Sequence, residues 1–177
     1  MVYTSRAPQR ASLAYVALGS NLGDRTGLLL AARAAIDSTL SCEVKISSSL
    51  YETGAWGSVE PQPDYLNAVI AVETSLTPHQ LWTMLAGIEL IQGRVRGTRP
   101  NAARTLDIDV LLIDDIVLNS SDLTLPHPRM HLRKFVLVPL LEIAPDICIP
   151  GWGAASKLLA HTVDSEPRKL GHNRAWN

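Results

Sequence analysis

Asp107 and Asp109 stand two apart in the run Leu106-Asp107-Ile108-Asp109-Val110-Leu111-Leu112-Ile113, which is otherwise apolar. In a strand, alternate side chains share a face. The two carboxylates would then lie on one side, about 6.6 Å apart along the chain, with Ile108 and Val110 on the other. Two ionised carboxylates on one face repel and resist burial. A divalent cation relieves that cost, and Mg²⁺ prefers such hard oxygens together with phosphate oxygens. A strand end with one solvated face is the other reading.

Just before this pair, residues 94–106 hold Arg94, Arg96, Arg99 and Arg104 and no acid. Arginine offers a fork of N–H donors matched to phosphate. Cations for a chain of phosphates followed at once by acids for its metal make both halves of a nucleotide triphosphate site. A mobile, solvated loop is the alternative. Further on, His127 lies between Pro126 and Pro128, followed by Arg129, His131, Arg133 and Lys134. The prolines aim the imidazole. Such a cluster suits phosphate binding or protonation of a leaving group, or forms a surface turn.

Tyr65 and Asn67 would share a face of another strand. A ring that stacks and a carboxamide that reads an edge suit a flat heterocycle; packing alone is the plainer account. Phe135, the sole Phe of the chain, could form the opposite wall. No GxxxxGK[ST] or GxGxxG pattern occurs, so a nucleotide must be held by side chains.

The elements that must position these groups follow from pattern. Residues 13–19 read as a strand ending in Gly-Ser-Asn. Asp24 can cap a helix whose apolar stripe is Leu28, Ala32, Ile36 and Leu40. Residues 43–53 read as a second strand, 54–64 as a loop and 65–74 as a third strand. Thr77-Pro78-His79-Gln80 is a capping box opening a second helix that Gly93 ends. Residues 106–113 read as a strand and 116–119 as its return. Residues 133–143 start as a helix with Pro139 forcing an irregularity, and a short helix is expected near 154–161. The βαββαβ order predicts an α+β fold, helices packed on an antiparallel-dominated sheet. The expected division is a flexible leader (1–12), a single catalytic domain (13–163) and a polar C-terminal tail (164–177).

Composition narrows the class. With 177 residues, 46% apolar and 19% charged, the chain has the make-up of one globular domain. No apolar run reaches the roughly 20 residues of a membrane helix. Cys42 and Cys148 fit no metal pattern, so reduced cytoplasmic thiols are expected. A net charge of −1 and 5% aromatics argue against a nucleic-acid binder. A non-catalytic sensor of a nucleotide or flat heterocycle is the other class, but a sensor has no need of both carboxylates.

Taken together, six blocks resemble the hydroxymethyl-dihydropterin pyrophosphokinase family of folate biosynthesis. They are residues 14–23, Gln62-Pro-Asp-Tyr-Leu-Asn67, Glu89 with Gly93-Arg-Val-Arg96, Arg104-Thr-Leu-Asp-Ile-Asp109, Pro126-His-Pro-Arg129 and Arg133-Lys-Phe-Val-Leu-Val-Pro139. They run in order over about residues 13–160. The resemblance implies a ferredoxin-like α/β sandwich. It implies a cytoplasmic enzyme that transfers pyrophosphate from ATP to 6-hydroxymethyl-7,8-dihydropterin, releasing AMP; a monomer is expected, with a dimer left open. Two Mg²⁺ ions would be held by Asp107 and Asp109. Thr53, Tyr65, Asn67 and Phe135 would hold the pterin; Glu89, Arg94, Arg96, Arg104, His127 and Arg133 would serve the nucleotide. Arg96 and Arg104 would also offset charge growing during transfer. Two loops depart from the family's pattern. Asn101-Ala-Ala precedes Arg104 where an aromatic and Gly-Pro are common, and Gly54-Ala55 follows Thr53 where Pro-Pro is common, so looser loop closure is expected.

Overall fold

A computed structural model describes residues 11–55, 57, 61–94, 102–171 and 175–176. The central sheet begins with β1 (Ser12–Ser20), whose alternate residues Ala14, Val16 and Leu18 are buried on one face. Asp24 then caps α1 (Arg25–Asp37), its side chain accepting from the Gly27 N–H. The buried stripe of α1 is Leu29, Ala32 and Ile36, not the one expected from Leu28 and Leu40. The hydroxyls of Ser38 and Thr39 both donate to the Ala35 carbonyl, the helix ends, and Leu40 is left fully exposed.

The expected strand over 43–53 is two strands, β2 (Cys42–Ser47) and β3 (Tyr51–Thr53). Ser48 divides them. Its N–H donates to the Val69 carbonyl while its hydroxyl accepts from the Val69 N–H, so a side chain replaces one rung of the ladder. Both pair with β4 (Tyr65–Thr74), β2 along its second half and β3 along its first three residues. The capping box of Thr77 and Gln80 opens α2 (Pro78–Ile91) as its pattern predicts. Gly93, at φ +79°, turns the chain out of it. Next comes β5 (Asp107–Ile113), which lies beside β1.

The order across the sheet is β10-β3-β4-β1-β5, with β2 also on β4, and every pairing is antiparallel. Here β10 is Arg168–Lys169. Small hairpins follow β5: β6 (Leu118–Asn119) with β7 (Thr124–Leu125), and β8 (Cys148–Ile149) with β9 (Gly153–Ala154). Between them, α3 (Lys134–Ile143) runs through Pro139 to its end rather than breaking there. Pro139 forgoes only its own N–H, and the buried Val136, Leu137 and Leu140 hold the helix around it. The remaining helix is α4 (Ala155–His161).

Two apolar layers result. Val16, Leu18, Leu66, Ile70, Ile108 and Val110 meet α1 and α2 on one face. On the other, Val69, Leu111 and Leu112 meet Val136, Leu137 and Leu140 of α3. Described residues of the expected polar tail, 164–177, pack on the domain. β10 pairs with β3, and Trp176, 1% exposed, donates its indole N–H to the Ser48 carbonyl under the Arg33 guanidinium. Among the described residues, no helix is long and apolar enough to cross a membrane. The expected leader falls almost wholly outside the described residues.

Candidate active site

The face of β1, β4 and β5 that meets α3 is only partly covered. At its uncovered end lies a cavity of about 330 Å³. Side-chain alternation decides what faces it: Ala17 and Gly19 from β1, Tyr65 and Asn67 from β4, Asp107 and Asp109 from β5. Thr53 enters from β3, Arg94 and Arg104 from the two ends of the arginine loop, and Arg133 and Phe135 from the start of α3. Nine of the sequence-predicted residues therefore line one space. Arg96, Arg99, Trp56 and Asn101 lie outside the described residues.

One end of the cavity is ionic. Asp107 Oδ1 accepts from Arg94 at 2.8 Å and Arg104 at 2.9 Å. Asp109 Oδ2 lies 3.6 Å from both His127 Nε2 and the Arg133 guanidinium. The carboxylates differ in electrostatic state. Burial pushes Asp107 up, but Arg104 and Arg94 outweigh it and hold the carboxyl below the usual range. Asp109 is raised by burial and then by Asp107 beside it, with His127 and Arg133 offsetting this only in part. Burial likewise lowers His127, against the pull of Asp109. His127 Nδ1 accepts from the Arg129 N–H at 3.2 Å. Its proton in the neutral form is therefore on Nε2, facing Asp109.

The other end is neutral. Thr53 and Tyr65 are paired across β3 and β4. The Asn67 carboxamide donates to the Thr53 hydroxyl at 2.9 Å, which fixes its orientation. Burial raises the Tyr65 hydroxyl, with Arg104 opposing. Gly19 runs beneath both ends. A Cβ there would sit 3.4 Å from Asn67 Oδ1, 3.7 Å from the Tyr65 ring and 3.8 Å from Asp107 Cβ. Arg133 stacks at 5.4 Å over the Phe135 ring and so joins the neutral wall to the ionic end.

Glu89 and His127 do not line the cavity. Glu89 is 4% exposed, and its Oε1 accepts from the Ile108 N–H at 2.7 Å and from Arg94. It thus fixes the backbone between the two aspartates and aims Arg94 at Asp107. The sequence carried a sign of this, because Glu89 falls on the helical stripe Leu81, Leu85, Ile88. Asn21, read only as part of a turn, is also structural. Its Oδ1 accepts from the Arg104 N–H at 2.8 Å, and its amide donates to Gln62 and the Pro63 carbonyl at 3.2 Å. One buried side chain so ties the loop before Tyr65 to the loop before Asp107. Arg129, read from the sequence as part of the cluster suited to phosphate, lines the cavity.

The donor set suits Mg²⁺. Asp107 and Asp109 are 27% and 37% exposed at their side chains, open to the cavity, and they are hard oxygen donors of like charge. No cluster of three or more His, Cys, Asp or Glu ligands occurs among the described residues. A Mg²⁺ held there would take its other ligands from water and phosphate oxygens, as Mg²⁺ prefers.

A family model described as 7,8-dihydro-6-hydroxymethylpterin-pyrophosphokinase (HPPK) matches residues 15–145. The 2-amino-4-hydroxy-6-hydroxymethyldihydropteridine pyrophosphokinase of Haemophilus influenzae is 42% identical over 157 residues, covering 89% of this chain and 97% of that protein. The enzyme of the same name from Methylorubrum extorquens is 43% identical over 138 residues, covering 78% and 86%. The wild-type Plasmodium falciparum HPPK-DHPS crystal structure with pteroate shares the fold at a TM-score of 0.67 and 14% identity. That match covers 85% of this chain, which spans only 42% of the longer one.

Proposed function

The chain belongs to the 7,8-dihydro-6-hydroxymethylpterin-pyrophosphokinase family, and from that premise we propose that it transfers pyrophosphate from ATP to 6-hydroxymethyl-7,8-dihydropterin in folate biosynthesis. The carrying observation is the division of one cavity into a neutral, hydrogen-bonding end and an ionic end joined across Gly19. The pterin occupies the neutral end. Tyr65 and Phe135 take its faces, while Asn67, held by Thr53, and the backbone near Thr53 read its edge. The triphosphate occupies the ionic end, met by Arg94, Arg96, Arg104 and Arg133, with His127 serving from beside Asp109. Glu89 serves by holding Arg94.

In the reaction the hydroxymethyl oxygen forms a bond to the β-phosphorus. The bond from the β-phosphorus to the α–β bridging oxygen breaks, AMP leaves with that electron pair, and the hydroxyl proton is released. Two Mg²⁺ ions on Asp107 and Asp109, when bound, neutralise phosphate charge and acidify the attacking hydroxyl. The chain's own contribution is to orient the two substrates and to meet growing charge with Arg96 and Arg104.

The ferredoxin-like assignment is supported by the order β1-α1-β2/β3-β4-α2-β5 and by the adjacency β3-β4-β1-β5. A monomer is sufficient, since one chain supplies every named group. Free thiols at Cys42 and Cys148 suit a cytoplasmic enzyme. Incubation with Mg-ATP and the pterin should yield AMP and pterin diphosphate in equal amounts. ADP in place of AMP, or no product, overturns the reading.

A further inference from the structure

Two substrate-facing residues sit at the weakest stretch of the sheet. Thr53 ends β3, a strand of three residues whose outer neighbour β10 has two. Tyr65 opens β4 directly opposite, after a loop. So few ladder bonds cannot by themselves fix that end of the pair.

Arg25, the first residue of α1, supplies what the ladder lacks. One guanidinium nitrogen donates to the Asp64 carbonyl at 2.6 Å, and the other to Glu52 Oε1 at 2.9 Å. Asp64 and Glu52 immediately precede Tyr65 and Thr53. The fork therefore spans the pair one residue before each substrate-facing side chain. Its partner is well shielded: the Glu52 side chain is 16% exposed and that of Arg25 32%. Arg168 of β10 reaches Glu52 from outside, but at 69% exposure it is the weaker hold. Asp24 fixes the start of α1 by capping it, so the fork is mounted on a rigid element. Arg25 does not line the cavity.

We propose that Arg25 is a positioning residue for the pterin, tying the backbone before Tyr65 to the carboxylate before Thr53 and thereby setting the spacing of the neutral end. The proposal rests on the pyrophosphokinase reading. A lysine at this position keeps the charge but has no planar fork to satisfy both acceptors at once.

Steady-state AMP release by Arg25→Ala, Arg25→Lys and Glu52→Gln, each checked by circular dichroism and thermal melting, tests it. Arg25→Ala should raise the pterin KM about tenfold, with kcat and the ATP KM within about twofold. Arg25→Lys should recover only part of the loss. Glu52→Gln keeps an acceptor of the same size, is the milder change for folding, and should raise the pterin KM by about threefold. An unchanged pterin KM, an equal rise in both KM values, or full recovery by lysine overturns the positioning role. Failure of the unaltered enzyme to release AMP instead overturns the pyrophosphokinase reading, which separates the two.

Discussion

The two ends of the cavity are stabilised in opposite ways. At the ionic end the charged contacts lie inside the site: Arg94 and Arg104 on Asp107, with His127 and Arg133 near Asp109. At the neutral end the lining carries no charge and the ionic contacts stand behind it, Arg25 and Arg168 on Glu52, and Lys169 on Glu142. An anionic, metal-bearing ligand can compete for charges placed inside. A neutral heterocycle cannot, and it gains more from a fixed floor of hydrogen-bonding groups. Charge is therefore placed where the ligand can exchange it, and elsewhere is used only as scaffolding.

The largest effect should come from the acids inside the site. Asp107→Ala and Asp109→Ala should each lower AMP release by about 10³-fold or more while leaving circular dichroism unchanged. Asp109→Asn adds a sharper outcome. Burial and Asp107 both disfavour ionised Asp109, so the neutral variant should melt at a higher temperature than the parent while being inactive. A lower melting temperature would mean that Asp109 is retained for stability, and the contrast between the ends would fail.

Tyr65→Ala probes the neutral floor. Loss of the stacking face should raise the pterin KM by about tenfold and leave nucleotide affinity, measured by titration with a non-hydrolysable Mg-ATP analogue, within about twofold. Equal loss of both affinities would show that the ends are not independent. Gly19→Ala should do less. Its Cβ would meet Asn67 and Tyr65 at ordinary contact distance, so the expected cost is about threefold in pterin KM with little change in melting temperature.

These site residues were legible because alternation along a strand is local. Asp107 and Asp109, or Tyr65 and Asn67, share a face whatever the rest of the chain does. The caps at Asp24 and Thr77 were legible for the same reason. What escaped is long-range. Glu89 was reached only through the resemblance, because its tie to the Ile108 N–H exists only once β5 is in place, although its position on an apolar stripe was visible. The split of the second strand had a mark too, three serines at 47–49, but only the partner Val69 turned Ser48 into a rung. Trp176 follows a polar stretch, and no nearby pattern marks it as core. Arg25 had no local signature, since its role depends on a strand carboxylate and a loop carbonyl 27 and 39 residues away in sequence.

The smallest effect concerns the scaffolding behind the neutral end, and it separates stability from binding. Glu142 of α3 accepts from the Ser49 N–H at 2.9 Å, the Ser49 hydroxyl at 2.7 Å and the Tyr51 hydroxyl at 2.9 Å, and pairs with Lys169 at 2.8 Å. Burial raises its carboxyl, but Lys169, Ser49 and Tyr51 together outweigh this and hold it below the ordinary value of 4.5. A carboxyl depressed on folding stabilises the fold above its ordinary value, and that contribution is lost as pH falls through the lower, folded value. Glu142→Gln should therefore cost about 1 kcal/mol at pH 7 by thermal or urea unfolding. The parent and variant curves should converge as pH falls below 4.5. Glu142 does not line the cavity, and β3 retains the Arg25 contact, so both substrate KM values should stay within about twofold. A gap between the curves that persists at low pH would mean that the side chain acts through packing rather than charge. A rise in the pterin KM would show that the two ends of β3 are not held independently.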